Sequence, residues 1–81
     1  MPIIPLDIVR DLVKLERSVA AFVIYSYIWC LADADGLSAT LRSIGEGTGF
    51  SKSTVSKAMR VLNRRKLVRT ENSVHYLVMP T

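Results

Sequence analysis

The stretch Leu41 to Leu67, LRSIGEGTGFSKSTVSKAMRVLNRRKL, constrains this chain more than any other. Its spacing predicts a short helix, a tight turn and a second helix. Leu41 and Ile44 give the first helix an apolar face. Gly45 is small where two elements have to approach closely, and Gly49 stands where the turn needs a positive φ. Phe50 plugs the turn, and Ser51 is placed to cap the helix that follows. Val55, Ala58, Met59 and Leu62 then recur at helical spacing and define one buried face over residues 51–65. At roughly 100° per residue, Ser53, Lys57, Arg60 and Arg64 fall on the opposite face. A rigid helix with a polar, basic ridge has the shape and charge to enter the major groove of duplex DNA.

Charge is segregated in the same way. Residues 50–70 hold seven of the eleven basic side chains, Lys52, Lys57, Arg60, Arg64, Arg65, Lys66 and Arg69, and none of the seven acidic ones. The formal net charge of +4 therefore divides into +7 here and −3 elsewhere. Such a division predicts a phosphate-facing side on an otherwise slightly acidic domain.

GLSATLRSIGEGTGFSKSTVSKAMRVLNRRKLV resembles the winged helix-turn-helix core of MarR-like and GntR-like bacterial regulators. It is equally similar to the helix-turn-helix domain at the front of many phage and plasmid replication proteins. Gly45, Gly49, the SKSTVSK helix start and the closing KLV carry the resemblance, which extends from about Glu16 to Pro80. It implies a mainly helical α+β fold, with a three-helix core and a small β-hairpin as wing. An extra N-terminal arm and short helix over residues 1–15 would precede the winged domain at 16–81. The recognition helix would lie in the major groove and the wing on the flanking backbone or minor groove.

The other segments follow from local signals. Met1 to Pro5 reads as an extended arm. Leu6 to Lys14 is amphipathic and reads as a short helix with a break near Leu15; because no Gly or Pro lies between Leu6 and Asp35, one continuous helix is the alternative. Glu16 to Ala32 reads as the first main helix, ended by Asp33 to Gly36 with Gly36 as its terminator. Leu37 to Ala39 is a short strand, or carries the cap of the next helix at Ser38. Leu67 to Thr70 and Ser73 to Val78 form the wing hairpin (67–78), turning at Glu71, Asn72 and Ser73. Arg69, Asn72, Ser73 and His75 are its expected outward groups.

The first main helix is apolar nearly all round, from Val19 to Leu31. One helix in a small domain has one face for its own core, so the remainder needs another cover. A homodimer is the expected cover, with Phe22, Tyr25 and Trp29 at the interface. Tyr27 and Trp29 lie about 200° apart on a helix, so one belongs in the core and the other at the seam. Cys30 is expected to be a small buried hydrophobe.

The expected DNA-facing set is Arg42, Ser43, Thr48, Ser51, Lys52, Ser53, Thr54, Ser56, Lys57, Arg60, Arg64, Arg65, Lys66, Arg69, Asn72 and Ser73. Ser51 is first of all a cap. Ser53, Thr54 and Ser56 lie at the helix start, which points into the groove in this motif.

No enzyme is expected. One His and one Cys far apart do not make a catalytic pair or a metal site. Gly45-Glu46-Gly47-Thr48-Gly49 lacks the strand that a phosphate-binding glycine loop follows. Asp33-Ala34-Asp35-Gly36 starts like a calcium loop, but Ile44 stands where its closing Glu is required. No cofactor, metal or small-molecule ligand is called for. A lone cysteine suits a reducing cytoplasm, and the 14-residue apolar run is shorter than the ~20 residues a membrane span needs. The sequence therefore predicts sequence-specific binding of double-stranded DNA by a cytoplasmic, homodimeric transcriptional regulator. The alternatives are the origin-binding domain of a phage or plasmid replication protein and, from another class, a winged-helix module for protein assembly.

Overall fold

The computed structural model describes residues 6–15 and 17–78. The expected arm at Met1 to Pro5 and the expected helix start at Glu16 lie outside them. Helix α1 (Leu6–Arg10) runs on into a π-helical segment, Asp11–Leu15. Then come α2 (Val19–Leu31), β1 (Leu37–Ser38), α3 (Leu41–Thr48), α4 (Lys52–Arg64), β2 (Val68–Glu71) and β3 (Val74–Leu77). This is an α+β winged helix.

No glycine or proline separates the first helical segment from α2, yet the chain breaks there. Arg17 takes a left-handed conformation (φ 51°). Ser18 then caps α2, its hydroxyl accepting from the amide of Ala21 at 3.0 Å. At the other end the helix stops at Leu31, with Ala32 as its cap. Gly36 is not the terminator. It has φ 83° in the turn that follows, where the Gly36 amide donates to the Asp33 carbonyl.

The core lies between α2, α3, α4 and the sheet. Ile24, Tyr25 and Ile28 of α2, Ile44 of α3, Val55 and Leu62 of α4 and Val68 of β2 are all buried in it. Ile8 and Leu12 from the N-terminal segment join the same cluster. The packing corrects the expected subunit seam. Tyr25 is fully buried and Trp29 nearly so, their rings 5.7 Å apart and tilted at 59°. Phe22 is half-buried and packs against the same core. Two neighbouring helices, strand β3 and the N-terminal segment thus use more of α2 than one stripe. Tyr27 is half-buried, its ring lying over Gly47 of α3. Cys30, expected inside, is exposed, because the face carrying Tyr25, Ile28 and Trp29 turns it outward.

The sheet is antiparallel, in the order β1-β3-β2. Leu37 pairs with His75 and Ser38 with Val74, so the short strand before α3 extends the wing to three strands. In the hairpin, Val68 pairs with Leu77, Arg69 with Tyr76, Thr70 with His75 and Glu71 with Val74. Asn72 and Ser73 form the two-residue turn, both with positive φ (50° and 63°), as right-handed strand twist favours.

This register corrects the reading of His75. The strand alternation that turns Arg69 and Tyr76 outward turns His75 inward, where it is 2% exposed. Its Nε2 lies 2.9 Å from the Ala39 carbonyl and its Nδ1 2.9 Å from the Thr70 hydroxyl. Since a carbonyl only accepts, Nε2 carries the proton, and in the neutral ring Nδ1 accepts from Thr70.

Candidate nucleic-acid interface

The helix-turn-helix is built by local chemistry. Thr40, not Ser38, caps α3, its hydroxyl accepting from the Ser43 amide at 3.0 Å. Gly49 ends α3 in the left-handed region (φ 85°), its amide donating to the Gly45 carbonyl at 2.7 Å. A Cβ on Gly45 would stand 2.6 Å from the Phe50 carbonyl oxygen. The turn backbone therefore lies directly on α3 at this position. Ser51 caps α4, accepting from the Thr54 amide at 3.2 Å and donating to the Thr54 hydroxyl at 3.0 Å.

These caps fix the rotation of α4. Val55, Ala58, Met59 and Leu62 point into the core. Lys52, Ser53, Lys57, Arg60 and Arg64 are exposed, and Thr54 and Ser56 are half-buried at the flank of that ridge. At the C-terminal end Arg65 is the cap and Lys66 takes φ 58°. The amide of Lys66 donates to the Asn63 carbonyl and that of Leu67 to the Leu62 carbonyl, each at 3.0 Å. This is a Schellman closure with a lysine where glycine is usual. It turns the chain straight from α4 into β2, so Arg64, Arg65, Lys66 and Arg69 follow one another across the junction.

The remaining expected residues form two exposed groups, with Thr48 apart from both. Arg42 and Ser43 are exposed in the first turn of α3, with Arg42 3.4 Å from Glu46 in an exposed ion pair. Arg69, Asn72 and Ser73 are exposed on the wing. Thr48 is instead half-buried, its hydroxyl donating to the Ile44 carbonyl at 2.7 Å, which engages it within α3.

Sequence reasoning missed Tyr76. The Arg69 guanidinium lies 4.8 Å from the centre of its ring and 3.7 Å from the Glu71 carboxylate. Stacking of this kind holds a guanidinium in place while leaving its edge open to a ligand. Alternation from Arg69 through a two-residue turn would have put Tyr76 beside it.

The described residues hold no cluster of His, Cys, Asp and Glu fit for a metal ion, and no described helix is long and apolar enough to cross a membrane. What the geometry offers is an exposed basic helix followed by a hairpin that carries Arg69.

Residues 9–81 match the profile of the Firmicute plasmid replication protein (RepL) family. The chain belongs to this family. The match covers the π-helical segment, all three core helices and the wing, and it selects the replication-protein branch of the resemblance. No curated protein and no solved structure matches the chain.

Proposed function

We propose that this RepL-family domain binds duplex DNA sequence-specifically, and that its target is a plasmid replication origin rather than the operator of a transcriptional regulator. The observation that carries the binding is the exposed face of α4. Lys52, Ser53, Lys57, Arg60 and Arg64 share it, the opposite face is locked in the core, and residues 50–70 hold no acid until Glu71. Family membership carries the choice of an origin.

In this reading Ser53, Thr54, Ser56 and Lys57, in the first turns of α4, reach base edges. Lysine can donate to guanine O6 and N7, and hydroxyls to either base type. Arg60, Arg64, Arg65 and Lys66, further along, hold phosphates and set the register. Arg42 and Ser43 contact backbone beside the groove, and Arg69, Asn72 and Ser73 bring the wing onto the flanking strand. Binding is occupancy of a site and requires no chemistry from the domain.

Selection of bound duplexes from a random pool tests this. A defined consensus that recurs in the plasmid's own origin supports the reading. Equal recovery of all sequences overturns the specificity, and no recovery at low salt overturns DNA binding.

A further inference from the structure

We propose that the N-terminal helical segment is a homotypic contact, pairing antiparallel with the same segment of a second copy of this chain. The segment is Leu6 to Leu15, LDIVRDLVKL. Ile8 and Leu12 face the protein's own core. Leu6, Val9, Arg10, Val13 and Lys14 line one shallow, mostly apolar groove on the outside. Leu6 is 69% exposed and Leu15 66%, the two most exposed large apolar side chains among the described residues.

The order of residues says what covers this face. Laid antiparallel on itself about a two-fold axis between Arg10 and Asp11, Leu6 falls level with Leu15, Asp7 with Lys14, Ile8 with Val13, Val9 with Leu12 and Arg10 with Asp11. Each acid falls level with a base. Ile8 and Leu12 stay in their own core, so the apolar contact is left to Leu6, Val9, Val13 and Leu15. The exposed stripe interdigitates in the same register. Val13 of the copy sits between the levels of Leu6 and Val9, and its Val9 sits between those of Val9 and Val13. An isologous contact repeats each pair twice, so one favourable charge pair becomes two. Parallel alignment would set Asp7 on Asp7 and Arg10 on Arg10 and is disfavoured. Within one chain Arg10 reaches Asp7 only at 3.7 Å, with both side chains mostly exposed. Such a pair is worth little and is free to exchange.

This contact is separate from the basic face of α4 and does not depend on DNA. Two ten-residue segments each span about 15 Å, so the interface is small and belongs to the weak, concentration-dependent class. The expected behaviour is a monomer–dimer equilibrium of the 9.0 kDa chain.

Sedimentation equilibrium of the full chain without DNA, from about 5 to about 500 µM, tests it. Three variants are compared, each checked by circular dichroism. L6D should remove the dimer without touching the core. R10D, which sets Asp against Asp11 of the copy twice, should weaken it about tenfold. R10D/D11R should recover it, because the charges are exchanged across the two-fold axis. Folded monomer at every concentration overturns the proposal. So does a wild-type dimer that L6D leaves intact, or a double variant as weak as R10D alone. DNA affinity measured on the same variants reads the α4 proposal independently.

Discussion

The His75 imidazole of the wing donates from Nε2 to the carbonyl of Ala39, 2.9 Å away and immediately before the cap of α3. This bond joins the wing to the entrance of the helix-turn-helix. With Thr70 on Nδ1, the buried ring satisfies a part-buried acceptor and is itself satisfied. His75→Ala would leave the Ala39 carbonyl without this donor and open a cavity under β3. The expected cost is about 1–3 kcal/mol, read as a lowered urea midpoint. An unchanged midpoint would mean that the bond contributes nothing.

The glycines of α3 are not equivalent. A Cβ on Gly45 meets the Phe50 carbonyl, which is backbone and cannot yield without opening the turn. A Cβ on Gly47 would stand 2.5 Å from the Tyr27 hydroxyl, the far end of a side chain that can swing aside. Alanine in a helix interior gains about 1 kcal/mol over glycine. Gly47→Ala should therefore be nearly neutral or stabilising, whereas Gly45→Ala should lose several °C of Tm. Equal losses at the two positions would refute this distinction.

Much of this region was legible in the sequence, because local rules govern it. Gly49 needed a left-handed φ, Ser51 needed to cap, and the spacing from Val55 to Leu62 set the rotation of α4. Legibility failed where the deciding contact is remote or where a pattern is absent. Helix α2 is apolar on all sides, so nothing along it distinguishes Tyr25 and Trp29, which are inside, from Cys30, which is outside. Alternation along β3 turns His75 inward, but its partner, the Ala39 carbonyl, reaches it only because Leu37 and Ser38 pair with β3 from far away in sequence. The break before α2, expected near Leu15, falls at Arg17, with no glycine or proline to fix its place.

Tyr25 gives the fold an alkaline limit. Its hydroxyl is buried with no hydrogen-bond partner among the described residues, and burial raises its pKa above the ordinary 10.0. The buried phenol stays protonated where the unfolded chain ionises. Stability from this group is thus full below pH 10 and lost as pH rises through 10 towards the folded pKa. The slope approaches about 1.4 kcal/mol per pH unit within that window. Tyr25→Phe should flatten the loss between pH 10 and 11 in denaturant titrations and be neutral or stabilising at pH 7. A steeper loss in the variant would contradict the assignment.

Salt should report the phosphate contacts of the DNA-binding reading. If one domain neutralises about four phosphates, log K should fall against log salt with a slope of roughly −4. Lys57→Ala should cost about 1–3 kcal/mol and relax preference at one base position. Arg60→Ala should weaken all sequences alike and reduce the slope by about 1. Fluorescence anisotropy over a range of salt separates the two, and a slope near zero would rule out this mode.

Lys66 sets stability against binding at one residue. It occupies the left-handed position of the closure after α4, with φ 58° and both Schellman bonds formed through its own amide and that of Leu67. Leu67 packs against the core that buries Leu62, which completes the motif. A residue with a Cβ costs about 1–2 kcal/mol in this conformation, whereas glycine takes it freely. Lys66→Gly should therefore raise stability by about 1 kcal/mol, less the extra entropy that glycine brings to the unfolded chain. If the lysine holds a phosphate, the same variant should bind every duplex several-fold more weakly and lower the salt slope by about 1. Lys66→Asn separates the two effects, since asparagine tolerates the left-handed region and also removes the charge. Gain of stability with loss of affinity in both variants is the expected result. Unchanged affinity in both would show that Lys66 faces solvent and that the DNA contact ends before it.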